Sequence, residues 1–381
     1  MDTPVAFACR ELRLRQFRNF PDVTLAFPAA GAAVIGDNGA GKTNLLEAIY
    51  YLEIFRSFRG AADEQLVRFG ADAFHVRGVF VDATGRDSEI TAAYEPRSRR
   101  KRVTVDGSEP ERISDAIGHL GAVVFSPADV ALVTGPPAGR RRFLDILLSL
   151  GEHEYLAALQ HYRRVLRHRN ALLRSSAPAS ALEPWDTALV EHGSRIILAR
   201  RQWVDAHAES FRLRCAEIGG HDATFEYHAS GAIPDAEHAA IAEAFTSALR
   251  RVAARERERA LTLVGPHRDD LLFRMHGRDE AIDLREFGSG GQVRTAAIAL
   301  RMVEAEYVQS GRGRPPLLLL DDIFAELDPG RAGRILEMLD ARHAGQVLLT
   351  APKDTDVDLR QASGSVSSLA RWRIDTGVIH A

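Results

Sequence analysis

The hydrophobic pattern of residues 5 to 118 is rich in strand-like segments. Leu12-Arg13-Leu14 alternates polar and apolar, Thr24-Leu25-Ala26-Phe27 is short and extended, and Val76 to Val81 and Glu89 to Tyr94 suit half-buried strands. Val103-Thr104-Val105-Asp106-Gly107 adds a strand running into a tight turn. The short run Ala32-Ala33-Val34-Ile35 is apolar without interruption, as a strand covered on both faces would be. One stretch departs from this: from Thr43 onward, Leu45, Leu46, Ile49 and Leu52 recur at helical spacing. Ala122 to Phe125 reads as a further strand, stopped by Ser126-Pro127.

Beyond Gly135-Pro136-Pro137 the period changes. From 139 to 260 the spacing is mostly helical, broken at Ser175-Ser176-Ala177-Pro178 and again from His221 to Pro234. Strand character returns at Leu261-Thr262-Leu263-Val264 and at Leu271 to Met275. A helix is expected over Gln292 to Val308, with Val293, Ala296, Ala297, Leu300 and Val303 on its core face. Leu317 to Leu320 reads as a buried strand, and Val347-Leu348-Leu349-Thr350 as the last one.

Composition narrows the class. A chain of 381 residues with 45% hydrophobic content can bury one large core or two smaller ones. No apolar run approaches the ~20 residues that span a bilayer, and Met1 to Arg15 has neither signal- nor transit-peptide character. Cys9 and Cys215 alone exclude a disulfide framework, so a cytoplasmic protein is expected. The net charge of −3 does not advertise a polyanion partner. Any DNA contact would need a local basic surface.

The chemistry lies in two separated motifs. Gly36-Asp37-Asn38-Gly39-Ala40-Gly41-Lys42-Thr43 fits the phosphate-cradling G-x-x-x-x-G-K-[ST] loop, between the predicted strand and helix that such a loop requires. Its glycines let backbone N–H groups converge on phosphate oxygens, and the helix start adds partial positive charge. Lys42 would contact the β- and γ-phosphates, while the Thr43 hydroxyl would join a Mg²⁺ shell with Asp321. Asp321 and Asp322 end the strand from Leu317. Neighbouring strand residues face opposite ways, so Asp322 reaches the same site to orient or deprotonate water only if the chain turns there. A solvated acidic turn is the alternative. Ser289-Gly290-Gly291-Gln292 would supply a second γ-phosphate contact from another copy of the chain, against plain helix capping by Ser289.

This order, Gly36 to Thr43, then Ser289 to Gln292, then Asp321-Asp322, belongs to ABC-type ATPases. It predicts an α/β fold: an ABC-type P-loop ATPase head formed by 1–138 and 261–381, with a mostly helical arm, 139–260, inserted. About 250 residues separate Lys42 from Ser289, too many for a transporter ATPase, and Thr350 stands where a switch histidine is common. The arm lacks the sustained heptads of a long coiled-coil tether. Asp322, shorter than the usual Glu, and Thr350 both point to slow turnover.

With those residues in hand, the chain resembles the bacterial RecF family, DNA-repair ATPases related to SMC heads. The resemblance rests on Leu14 to Phe20, Leu45 to Tyr50 with Arg56-Ser57-Phe58-Arg59, Gly139 to Asp145, Arg169 to Leu173 and Pro184-Trp185-Asp186. Gly265 to Leu271 and Leu320 to Asp328 complete it. It implies an ATP-assembled homodimer on double-stranded DNA, active in recombinational repair of single-strand gaps, replication and the SOS response. It also implies work with RecR and RecO to promote RecA loading, in the cytoplasm on the nucleoid. Arg56, Arg59, Arg99, Arg100 and Lys101 are the candidate DNA contacts, weighed against a solvated or acid-paired surface. Arg97 and Arg102 belong to the same run, and Arg140 to Arg142 and Arg163 to Arg169 form lesser clusters. For His267 a structural hydrogen-bonded role is expected over a metal ligand.

Overall fold

The computed structural model describes residues 7–234, 237–276, 281–324, 327–342, 345–353 and 369–380. The chain divides into two compact units, Met1–Ala128 with Glu304–Ala381, and Asp129–Val303.

In the first unit, strands β1 (Phe7–Phe17) and β2 (Phe20–Ala26) form a hairpin, followed by β3 (Gly31–Ile35), helix α1 (Lys42–Ile54) and the short α2 (Asp63–Leu66). Strands β4 (Phe74–Asp82), β5 (Asp87–Glu95), β6 (Arg100–Val105) and β7 (Ala122–Phe125) come next. An antiparallel sheet has the order β2-β1-β4-β5-β6. The period-two alternation sets its faces: Leu12 and Leu14 are fully buried, and the intervening Arg13 is not. Where the sheet meets α1, Phe74 takes Phe17 and Tyr51 edge-on at ring distances of 5.3 and 5.4 Å, the preferred aromatic geometry.

The second unit carries α3 (Val130–Thr134), α4 (Pro137–Gly151), α5 (His153–Arg174), α6 (Ala179–Gly219) and α7 (His238–Arg259). Interleaved with or following them are β8 (Ala223–His228), β9 (Asp270–His276), β10 (Ala281–Asp283) and α8 (Leu284–Phe287). Helix α9 (Gly290–Arg312) contains the boundary between the units, after Val303. This unit is wider than the helical arm expected at 139–260, because its ends are tied together. β8 pairs with β9, and Arg140 holds Asp270 with two hydrogen bonds of 2.6 and 2.9 Å. The break expected from His221 to Pro234 contains a strand, β8. The break at Ser175 to Pro178 separates α5 from α6.

One expected strand does not form. Leu261 to Val264 is irregular because side chains, not a neighbouring strand, take its backbone groups. Asn170 Oδ1 accepts from Thr262 N at 2.8 Å, and a Glu256 carboxylate oxygen accepts from Leu263 N at 2.7 Å. The following Gly265 N donates to Ser230 Oγ at 2.9 Å. Satisfying buried backbone groups this way removes the need for a sheet.

The chain completes its first unit with β11 (Leu317–Asp321), α10 (Pro329–Arg342), β12 (Val347–Ala351), β13 (Ala370–Asp375) and β14 (Val378–His380). These build the second sheet, β14-β13-β3-β12-β11-β7, parallel except for β14. Leu317 to Leu320 are fully buried. Each such side chain contributes roughly 1.5–3 kcal/mol, which pins the register of the strand that carries the two carboxylates. The five core residues expected on α9 are buried, as are Leu45, Leu46, Ile49 and Leu52 on α1.

Candidate functional site

β3, β12 and β11 are parallel neighbours, so their carboxyl ends lie along one edge of the sheet, the edge at which parallel sheets bind ligands. The loop Gly36 to Gly41 leaves β3 there and enters α1. Asp37, Asn38 and Gly39 are exposed at its crest, while Ala40, Gly41 and Lys42 are buried at its foot. Gly41 caps α1 at φ 114°, and a Cβ there would strike the Asn19 amide. A Cβ on Gly36 would meet the Ile374 carbonyl. Asn19 Nδ2 donates to Ala40 O at 2.9 Å and Asn44 Nδ2 donates to Asn19 Oδ1 at 2.9 Å. Gly377 N also donates to Ala40 O at 2.9 Å. The loop is thus held from below before any ligand arrives, with the first-turn amides of α1 free of intrahelical partners.

Lys42, 4% exposed, curls over the loop and donates to the carbonyls of Gly36 and Asp37 at 2.7 and 3.3 Å. Its ammonium lies 3.7 Å from an Asp322 carboxylate oxygen. The Thr43 hydroxyl donates to Asp321 Oδ1 at 2.8 Å, across 278 positions of sequence. β11 ends at Asp321, and Asp322 takes a left-handed φ of 49°. This is the turn that brings both carboxylates to one side. Burial pushes the Asp321 carboxyl above its ordinary range, against hydrogen bonds from Thr43 and Thr350 that pull it down.

The β11–β12 register places Thr350 opposite Asp321. Its hydroxyl accepts from Asp322 N at 3.0 Å and lies 3.0 and 3.3 Å from the Asp321 and Asp322 carboxylates. Thr350 therefore braces both acids.

Among the described residues no cluster of three or more His, Cys, Asp or Glu would hold a metal alone. A hydroxyl and a carboxylate 2.8 Å apart are instead a partial oxygen set, the kind Mg²⁺ uses when phosphate oxygens and waters complete its shell. The residues fit a Mg²⁺–nucleotide.

Ser289-Gly290-Gly291-Gln292 starts α9 in the second unit. Ser289 N donates to Gln292 Oε1 at 2.8 Å and Gln292 N donates to Ser289 Oγ at 3.3 Å, a reciprocal capping box. Within one chain the capping reading of Ser289 holds. Ser289 and Gly290 are also exposed, so capping leaves the motif presented at the surface.

Residues 8–368 match the family described as RecF/RecN/SMC N terminal domain. The DNA replication and repair protein RecF of Salinibacter ruber is 39% identical, over 90% of this chain and 84% of its own. The chain belongs to the RecF family. RecF of Geotalea daltonii is 35% identical over 97% of this chain and 99% of its own. The solved structure of the recombination mediator protein RecF-ATP in the RecFOR pathway has a TM-score of 0.87 at 31% identity, covering 99% of each chain. An Smc head domain from Pyrococcus furiosus, at 15% identity and a TM-score of 0.56, shares the fold. The ABC/SMC-type α/β head expected from the motif order is the fold observed.

In this RecF-family chain the candidate DNA contacts differ in availability. Lys101 donates to Phe55 O at 2.7 Å, pairs with Asp63 at 2.6 Å and lies 5.2 Å from the Tyr51 ring centre, with 17% of its side chain exposed. Of the candidate contacts, it is the one whose charge is already paired within the chain at hydrogen-bond distance. Arg59, half exposed, reaches Asn44 at 3.3 Å and Glu47 at 3.9 Å. Arg56 and Arg100 are exposed, and Arg99 is 84% exposed and 3.9 Å from Glu64.

The segment Gly265 to Leu271 fastens the second unit. Arg200, 2% exposed, donates to Pro266 O at 2.8 Å and to Asp145 at 2.7 Å. Asp269 accepts from Ser230 N at 2.7 Å and from the Tyr227 hydroxyl. His267 shares a 2.6 Å hydrogen bond with the Tyr162 hydroxyl through Nδ1 and a 3.1 Å contact with Thr262 O through Nε2. Sequence reasoning assigned no role to Asn19 and placed Thr350 only as a substitute for histidine. Asn19 does lie in the family segment Leu14 to Phe20, which was its one signal. Glu326, another landmark, lies outside the described residues.

Proposed function

We propose that this chain is an ATP-dependent DNA-binding switch of the replication and repair machinery. Two copies close on ATP, hold double-stranded DNA, and reset by slow hydrolysis. The observation that carries the reading is the meeting of Thr43 with Asp321 at 2.8 Å and of Lys42 with Asp322 at 3.7 Å, beneath an exposed phosphate loop. Mg²⁺, when bound with ATP, supplies positive charge that screens the phosphate oxygens. Lys42 holds the β- and γ-phosphates, the amides of Gly39 to Thr43 cradle them, and Thr43 and Asp321 orient the ion. Asp322, at the end of its strand, takes up or orients a proton on the attacking water. Its short side chain, tied to Thr350, supports slow turnover. The glycines and the hydroxyl of Ser289-Gly290-Gly291-Gln292 are offered to the nucleotide of a second copy. The resemblance to RecF of the RecFOR pathway supports RecR and RecO as partners and promotion of RecA loading as the output, on nucleoid DNA in the cytoplasm. No described helix is long and apolar enough to cross a membrane.

Two substitutions test this reading together. Lys42→Ala is expected to weaken ATP binding about a hundredfold or more, as loss of a buried charge partner does. Ser289→Arg is expected to leave ATP affinity within about twofold while abolishing the ATP-induced doubling of mass in light scattering. ATP-dependent dimers of normal mass in the Ser289 variant would overturn the shared site.

A further inference from the structure

Thr350 has one hydroxyl hydrogen and two carboxylates within its reach. It sits on β12, the strand between β3 and β11, opposite Val34 on one side and Asp321 on the other. The residue is 1% exposed, and its β-branch restricts rotation about the first side-chain bond. The oxygen is therefore held in place, and only its hydrogen is free to turn. A hydroxyl gives one hydrogen and accepts through two lone pairs. Asp322 N fills one lone pair at 3.0 Å. The hydrogen is left to choose between Asp321 Oδ1 at 3.0 Å and Asp322 Oδ1 at 3.3 Å, with Leu320 O farther off at 3.5 Å. It serves one acid at a time.

Charge decides which one. A hydrogen bond to an ionised acceptor is among the strong ones, more so away from water, so the donor goes to the acid whose charge is less compensated. Asp322 has the Lys42 ammonium at 3.7 Å. Asp321, 5% exposed, has two hydroxyls, Thr43 at 2.8 Å and Thr350 at 3.0 Å, while the Arg59 charge acts on it from farther away. The Thr350 hydrogen thus belongs to Asp321, the nearer acid and the one without a paired cation. With Mg²⁺–ATP bound the balance inverts: Lys42 serves the phosphates, and Asp321 faces the positive charge of the ion. Asp322 is then the acid left without a cation.

We propose that Thr350 is a positioning residue whose hydroxyl turns its hydrogen bond from Asp321 to Asp322 when Mg²⁺–ATP binds, and so holds Asp322 toward the attacking water. This rests on the reading of the two acids as partners of the ion and of the water, and adds to it the group that links them. No proton is transferred; the O–H bond is kept and only its direction changes. The hydroxyl therefore matters little to nucleotide affinity, because one hydrogen bond replaces another. It matters to hydrolysis, because only the second is made in the reacting complex.

The test uses the full chain and two readouts: affinity for N-methylanthraniloyl-ATP across a Mg²⁺ titration, and single-turnover hydrolysis of ATP. Thr350→Val keeps the shape and removes the donor. It is expected to leave Mg²⁺–nucleotide affinity within about threefold and to slow hydrolysis about tenfold or more. Thr350→Ser returns the hydroxyl and is expected to bring the rate back to within about threefold. Should the valine variant unfold for want of an acceptor for Asp322 N, Thr350→Cys, a weaker donor, is expected to show the same split at smaller size. A loss of affinity as large as the loss of rate would keep the hydroxyl with Asp321 and overturn the turn to Asp322. A rate unchanged by valine, or one that serine fails to restore, would overturn it too. Failure of the unaltered chain to bind the fluorescent nucleotide with Mg²⁺ would instead overturn the reading of the nucleotide site itself.

Discussion

His267 shows how far a single residue is governed by its setting. Burial holds its pKa down to about 4, against about 6.5 for a free imidazole. Above pH ~6.5 the ring is neutral in folded and unfolded chains alike. As pH falls from about 6.5 toward 4, only the unfolded chain takes the proton, so stability drops, by up to about 3 kcal/mol, and then levels off. Urea unfolding followed across this window should show a flatter slope for His267→Gln than for the unaltered chain. Parallel slopes would assign the loss to other groups. The residue was legible as structural because no partner at ligand spacing accompanies it in sequence. Lys42, Thr43 and the glycines around them were legible for a different reason: the phosphate loop is local, and eight consecutive residues specify it. Asn19 and the bracing role of Thr350 were not, because each depends on strands that meet only after folding. That Lys101 turns inward to Asp63 and Phe55 O was not legible either, because a run of basic residues does not reveal which of them pairs within the chain.

At the scale of elements, the irregular stretch after α7 depends on Arg169. This side chain, 3% exposed, donates to Asp186 at 2.6 Å, Glu256 at 2.7 Å and Thr262 Oγ1 at 2.9 Å, and Glu256 is 1% exposed. Removing one partner of a buried pair strands the other charge, so Arg169→Met is expected to destabilise the second unit by roughly 3–5 kcal/mol. Adding Glu256→Gln should recover part of that loss in denaturant unfolding. A single variant as stable as the original would show that the pair contributes nothing. The same network explains the strand that the apolar pattern of Leu261 to Val264 predicted and the chain does not form. Pattern reports burial, and both strands and braced loops are buried. The uninterrupted runs Leu317 to Leu320 and Val347 to Thr350 were read as strands correctly because their backbones pair with neighbouring strands along their length. β8 was hidden inside a segment whose Gly, Asp and Pro content marked only a break.

At the scale of the whole molecule, the order of motifs along the chain predicted the ABC-type head, and the landmark segments between them pointed to its family. What motif order does not carry is the assembly. Ser289 and Gln292 cap their own helix, yet Ser289 stays at the surface, and the phosphate loop stands open at the strand ends. A monomer has no use for a second phosphate site. The proposed closure of two copies on ATP would give it one, and would couple the nucleotide to DNA. That coupling is the central claim, and fluorescence anisotropy of a labelled duplex at moderate salt, with and without ATP, tests it most directly. The account predicts binding only with ATP, weakening steeply as salt rises because the contacts are to phosphate. Equal binding without nucleotide, or none in either condition, would contradict it.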